Sequence, residues 1–279
     1  MSNKVLIFGG DGKLGTSFRK LLKDDSNYEV RSLTSKNLSY NDYQTVIRVI
    51  KAIDPDFIIN CVGFTDVDGA EKSENKNLCL ELNAVFPLIL AMCGKIFGAD
   101  VIHFSTDYVF DGIKEISYLE TDIPNPVNYY GLTKMMGDQF IIKFDNVKIY
   151  RIQCVYSDVG KSFAKSILNL TKEQFQINVV GDQITVPTHA DWIAKQIINL
   201  LPFPNYGLWN LVPDGMASYA DFAKKILVGR TTLVHAVKSN DYPTPAKRPL
   251  FSVLDNSKIK AKFGLTFSDW QQVYDTYKT

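Results

Sequence analysis

Along the first half of the chain, short apolar runs alternate with longer stretches whose apolar positions recur at helical spacing. The runs Lys4–Phe8, Tyr28–Leu33, Phe57–Cys61, Val101–Phe104 and Val147–Ile152 predict strands, and Leu14–Lys23, Tyr43–Ile53, Leu78–Phe97 and Tyr129–Phe144 predict the helices between them. Most of the strand runs are continuous apolar blocks, the pattern of a sheet covered on both faces. Strands and helices alternating in this way predict an α/β fold with a doubly wound, Rossmann-type parallel sheet.

Beyond Val155 the pattern loosens. Helical spacing recurs at Ser162–Thr171, His189–Leu201, Ser218–Val228 and Ser268–Tyr277 without regular strand partners, among prolines at 187, 202, 204, 213, 243, 245 and 249. A smaller C-terminal lobe is the expected outcome.

Composition narrows the field. With 279 residues, 46% of them hydrophobic, the chain can bury one large core or one core with a satellite. Its net charge of +1, from 31 basic and 30 acidic residues interspersed along the chain, leaves no field to attract nucleic acid or an anionic membrane. No run is read as the roughly 20 apolar residues of a membrane span, and the run at Val5–Phe8 is too brief for a signal segment. Cys61, Cys79, Cys93 and Cys154 show neither disulfide nor metal spacing, so a reducing cytoplasm is expected and no metal.

The segment Gly9-Gly10-Asp11-Gly12-Lys13-Leu14-Gly15 joins the first strand to the first helix. Gly9 permits a tight turn, Gly12 lets phosphate approach the backbone, and Gly15 lets the helix close on the strand, while the helix N-terminus offers free N–H groups. A dinucleotide pyrophosphate fits there, making 1–155 the expected dinucleotide-binding domain. Residues 156–279 then form mainly a smaller substrate-binding lobe, with room for the two to interleave. After the second strand, Arg31-Ser32-Leu33-Thr34-Ser35-Lys36 carries no acid to bond a ribose 2′-hydroxyl. That favours NADP(H), with Ser35 and Lys36 as the 2′-phosphate contacts, and leaves NAD(H) as the alternative.

Tyr130 and Lys134 stand four residues apart at the start of a predicted helix, on one face of it. A cation beside a phenol lowers its pKa and readies it to exchange a proton with a substrate oxygen. The pair follows Ser105-Thr106-Asp107-Tyr108-Val109-Phe110-Asp111-Gly112, which begins at the carboxyl end of a strand, where such sheets bind ligands. Thr106 can donate a hydrogen bond to a carbonyl becoming an alkoxide. Thr106, Tyr130 and Lys134 form the expected catalytic trio.

Together with Asn60–Glu71, Leu82-Asn83-Ala84 and Pro126–Lys134, these segments resemble the dTDP-4-dehydrorhamnose reductase family of extended short-chain dehydrogenases, nearly end to end. The resemblance implies reduction of the 4-keto group of a nucleotide-linked 6-deoxyhexose. Tyr130 would protonate the oxygen, Thr106 polarise the carbonyl, and Lys134 tune Tyr130 and hold the ribose. It also implies that Gly12, Lys13 and Leu14 line the pyrophosphate, that Gly63, Phe64 and Thr65 border the nicotinamide half, and that Asp107 meets the sugar. Thr65, Val67, Cys154 and Arg248 complete the expected substrate contacts, and a homodimer is a possible assembly.

The chain departs from the family pattern after the fifth strand, where Arg151-Ile152-Gln153-Cys154 replaces R-T-S-W and a thiol stands for an indole in the sugar pocket. Two rival readings keep the same fold. One is an epimerase or dehydratase that recycles a bound cofactor, which Asp107 favours. The other is a non-catalytic NADP-binding regulatory subunit, which the intact trio disfavours. His103 is expected to be a satisfied core residue, and His189 and His235 lack metal-type spacing.

Overall fold

The computed structural model describes residues 2–278. Strand β1 (Asn3–Phe8) leads into helix α1 (Lys13–Leu22), followed by β2 (Tyr28–Leu33), α2 (Tyr43–Ile53) and β3 (Phe57–Asn60). A broken helical stretch comes next, made of α3 (Lys76–Leu80), a π turn (Glu81–Val85) and α4 (Phe86–Phe97), and then β4 (Asp100–Thr106), α5 (Tyr129–Ile141) and β5 (Val147–Ile152). The remainder runs β6 (Val155–Tyr156), α6 (Phe163–Leu170), β7 (Gln176–Val180), β8 (Ile184–Thr185), β9 (Thr188–His189) and α7 (Ala190–Leu200). It ends with β10 (Gly207–Asn210), β11 (Ala217–Ser218), α8 (Tyr219–Ile226), β12 (Leu233–Val237), α9 (Ser257–Phe263) and α10 (Trp270–Tyr277).

Six parallel strands form the main sheet in the order β2-β1-β3-β4-β5-β10. The chain winds outward from β1 in one direction to β2 and in the other to β3, so the switch point lies between β1 and β3, above their carboxyl ends. Apolar residues of β1, β3, β4 and β5 alternate between two cores. Val5, Ile7, Ile59 and Ile102 meet α1 and α7 on one face, while Leu6, Phe8, Ile58 and Val101 meet α2, α4 and α5 on the other. A third cluster, around Val109, Phe110, Ile177, Phe222 and Trp270, fills the space under α6, α8 and α10. The five expected strands are all present, and β10 adds a sixth from beyond residue 155, at only four residues too short to show a period.

The expected helix over Leu78–Phe97 is interrupted. Pro87 lies in the first turn of α4, where it supplies no N–H, and the preceding residues bulge into the π turn. Ser73–Phe97 is 25 residues long and contains an 18-residue stretch with a mean hydropathy of 1.6, enough by length and composition to cross a membrane. Here Cys79, Ala84, Phe86, Leu90 and Ala91 are buried inside the protein instead.

Helix α5 comes very close to its neighbours at the π turn and again at Tyr108. A Cβ placed on Gly137 would lie 2.2 Å from the Asn83 carbonyl oxygen, and one on Gly131 would lie 2.0 Å from the Tyr108 carbonyl oxygen. In an exposed helix, glycine to alanine gains about 1 kcal/mol. For Gly137→Ala the clash with backbone reverses the sign. The variant is expected to lose roughly 1–3 kcal/mol of stability, read as a lower denaturant midpoint.

Candidate active site

The carboxyl ends of β1, β3, β4 and β5 open into a cleft of about 350 Å³. It is lined by Gly12, Lys13 and Leu14 from the glycine turn, by Asn60, Gly63, Thr65 and Val67 from β3 and the loop after it, and by Thr106, Asp107, Tyr130, Lys134, Cys154 and Tyr219.

At the glycine turn, Gly9 has φ +79°, a conformation that costs little only without a Cβ. A Cβ on Gly15 would lie 2.1 Å from the Gly9 carbonyl oxygen, so α1 begins hard against the turn. Gly12 caps α1 with no side-chain hydrogen bond, leaving the first N–H groups facing the cleft where a Cβ is missing. This cradle suits a pyrophosphate. Asp11 sits exposed at its lip, and Ser35 and Lys36 are exposed in the turn after β2, outside the cleft-lining residues.

Thr106 ends β4 and is 6% exposed, and its side chain hydrogen-bonds Tyr130. Tyr130 stands at the start of α5, which Asn128 caps by accepting from the Gly131 N–H at 2.7 Å while donating to the Lys247 carbonyl at 2.8 Å. The Tyr108 ring meets the Tyr130 ring edge-on at 6.0 Å. The structure thus brings Thr106 and Tyr130 together, but it turns Lys134 away from them. Its Nζ donates to the Phe104 carbonyl at 2.6 Å and lies 3.1 Å from His103 Nε2.

That placement corrects the expected electrostatics. Burial pushes the Tyr130 phenol up, the Thr106 hydrogen bond pulls it back in part, and Asp107, Tyr108 and Cys79 push it further up. Lys134 is not among its principal influences, and burial lowers Lys134 itself to about 8. A lysine four residues away on a helix need not face the tyrosine it accompanies.

Asp107 is 2% exposed, and burial raises its carboxyl to about 6. It accepts from Thr106 Oγ1 at 3.1 Å, Ser252 Oγ at 2.5 Å and Gln153 Nε2 at 3.3 Å. Gln153 also donates to Thr185 Oγ1 and the Ser252 carbonyl, and accepts from the Leu254 N–H. It ties β5 to the C-terminal segment behind the cleft. No motif marks this role, nor that of Tyr219, which opens α8 and is linked by hydrogen bonds to Tyr108 and Cys154. Cys154 has φ +43°, and burial raises its thiol to about 12, so it shapes the wall as a neutral group.

Two expected contacts fall elsewhere. Arg248 is absent from the cleft lining and grips the Asp68 carboxylate with both guanidinium nitrogens at 3.1 and 2.8 Å. Phe64 is also off the lining. Its backbone N–H and carbonyl are both held by the Asn83 amide, at 2.9 and 3.1 Å, an amide that the π turn aims at this loop. Asn83 is therefore a support for the Gly63–Thr65 backbone, and at 0% exposed it needs these partners for its amide.

Known proteins share this arrangement. The model of the RmlD substrate binding domain matches residues 3–278. The dTDP-4-dehydrorhamnose reductase of Aggregatibacter actinomycetemcomitans is 34% identical, over 96% of both chains. The crystal structure of dTDP-4-dehydrorhamnose reductase from Bacillus anthracis in complex with NADP is 30% identical, covers 99% of both chains and superposes with a TM-score of 0.95. That of the ortholog from Clostridium acetobutylicum is 33% identical over 98% of both, with a TM-score of 0.93. The chain belongs to the dTDP-4-dehydrorhamnose reductase family, the family of the RmlD substrate binding domain.

Proposed function

We propose that this protein reduces the 4-keto group of a nucleotide-linked 4-keto-6-deoxyhexose, dTDP-4-dehydrorhamnose first among them, with NADPH as the reductant. The observation that carries the reading is a single cleft holding both a free glycine cradle and the Thr106–Tyr130 pair. The NADP complex of the Bacillus anthracis reductase supports the choice of cofactor.

Bound across the cleft, NADPH supplies the hydride that reaches the keto carbon. Gly12, Lys13 and Leu14 would hold its pyrophosphate, Gly63 and Thr65 would border its nicotinamide half, and Lys134 would hold its ribose. Thr106 donates to the keto oxygen as charge grows there, and Tyr130 gives that oxygen its phenolic proton. Asp107, Val67, Cys154 and Tyr219 shape the sugar end. Residues 1–155 thus serve mainly the dinucleotide and 156–279 mainly the sugar nucleotide. In this reading the enzyme works in the cytoplasm, and a homodimer is its simplest assembly.

Because Gln153 and Cys154 replace the family's serine and tryptophan, the sugar wall is a thiol and two phenols, not an indole. The chemistry is retained while the sugar partner is open to change. A panel of enzymatically made 4-keto-6-deoxy sugar nucleotides should therefore show net NADPH oxidation, with product stereochemistry read by NMR. A cofactor-recycling epimerase or dehydratase gives no net oxidation, and a regulatory subunit gives no turnover at all.

Tyr130→Phe is expected to lower kcat by roughly 10²–10⁴-fold with an unchanged unfolding midpoint. Unaltered turnover would remove Tyr130 from the mechanism. Lys36→Ala should raise KM for NADPH by about tenfold and leave KM for NADH alone. Equal effects on the two cofactors would take the 2′-phosphate away from this turn.

A further inference from the structure

Behind the cleft, a buried chain of polar atoms runs from β3 to Lys134, and each link fixes the direction of the next proton. The Val62 N–H can only donate, and it lies 3.1 Å from Asn60 Oδ1. The other end of that amide, Nδ2, faces His103 Nδ1 at 3.1 Å, so Nδ1 accepts and carries no proton. Turning the amide over would set its NH₂ against the Val62 N–H, donor against donor, where Asn60 is 1% exposed.

His103 is also 1% exposed, and burial holds its pKa well below the ordinary value. A neutral imidazole with a bare Nδ1 keeps its proton on Nε2. That proton points at Lys134 Nζ, 3.1 Å away. An ammonium has three donors and no acceptor, so only the lone pair of an amine can receive it. The amine's own hydrogen goes to the Phe104 carbonyl at 2.6 Å.

We propose that His103, with its tautomer set by Asn60, is a positioning residue that holds Lys134 as the uncharged amine in the cofactor-free enzyme. Lys134 becomes an ammonium, able to favour tyrosinate at Tyr130, only when the cofactor draws it off the imidazole. The step is the gain of one solvent proton by the amine, and His103 keeps its own. The inference rests on the reductase reading for the identity of the cofactor.

The surroundings agree. The other titratable groups acting on Lys134 are Asp138 on α5 and Cys79 on α3, with Arg151 on β5 reached across Asp138. Asp138 is already engaged by Ser105 Oγ at 2.7 Å and Arg151 Nε at 3.4 Å. Burial outweighs the pull of Asp138 and Cys79 and lowers the lysine to about 8, so the amine is the major form above that pH.

The test counts protons. NADPH is titrated into the full chain at about pH 9, where a lysine titrating near 8 is mostly uncharged, in two buffers of different ionisation enthalpy. The 2′-phosphate, with a second pKa of about 6, contributes nothing there. The wild type is expected to take up roughly one proton per NADPH bound. Asn60→Asp gives His103 Nδ1 a carboxylate to donate to, frees Nε2 as an acceptor for an ammonium, and should bring the uptake to near zero while NADPH still binds. His103→Gln, whose amide oxygen can accept from an ammonium, should do the same and stands in if the first variant does not fold.

Binding without proton uptake by the wild type overturns the proposal. So does full uptake in both variants, which would assign the proton to another cleft residue such as Lys13. A wild type that binds no NADPH overturns the cofactor reading, and this inference with it.

Discussion

The seat of helix α5 is the constraint on which the site depends. Gly131 and Gly137 let the helix backbone press against the Tyr108 and Asn83 carbonyls, closer than any side chain would permit. The first approach sets Tyr130 beside Thr106. The second packs the helix on the π turn, whose Asn83 amide at once bonds Thr133 on α5 and the Phe64 backbone in the loop after β3. One helix position thus fixes both Tyr130 and the loop after β3, and buried glycine contacts of this kind do not stretch.

Much of this was legible in the chain itself. Continuous apolar blocks give the buried parallel strands, and Gly9 and Gly15 mark the cradle because a tight turn and a close helix leave no room for their Cβ atoms. Thr106 and Tyr130 were legible from their places at a strand end and a helix start. What escaped was of another kind. Strand β10 is too short to display a period, and the π turn is caused by Pro87 acting on residues before it. Tyr219 and Gln153 reach the site from segments with no local signature, since long-range folding brings them there. Arg248 shows the opposite failure: its charge suggested a phosphate, and Asp68, 180 residues away in sequence, is its partner.

The far end of the cleft combines buried polarity with a strained backbone. Cys154 adopts a left-handed φ that disfavours residues with a Cβ, a conformation of order 1–3 kcal/mol. It persists because Gln153 beside it is held at both ends, by Thr185, Ser252 and Leu254. The same amide donates to Asp107, so the strain at the wall and the orientation of the carboxylate are one arrangement. An indole at 154 would have filled this wall with apolar surface. Phenols and a thiol leave hydrogen-bonding capacity there, which favours hydroxylated faces of a ligand over bare ones.

Burial pushes Asp107, Tyr130, Lys134 and His103 each toward its uncharged form, raising the first two and lowering the last two. Left alone, such a cleft settles with as few charges as it can, since ions without partners are costly in a low dielectric. In the proposed reading a dinucleotide changes that balance by bringing its phosphates to the glycine cradle and ribose hydroxyls to Lys134. Asp107 at about 6 and Lys134 at about 8 stand close enough to neutral pH that a ligand's charge beside them resets both.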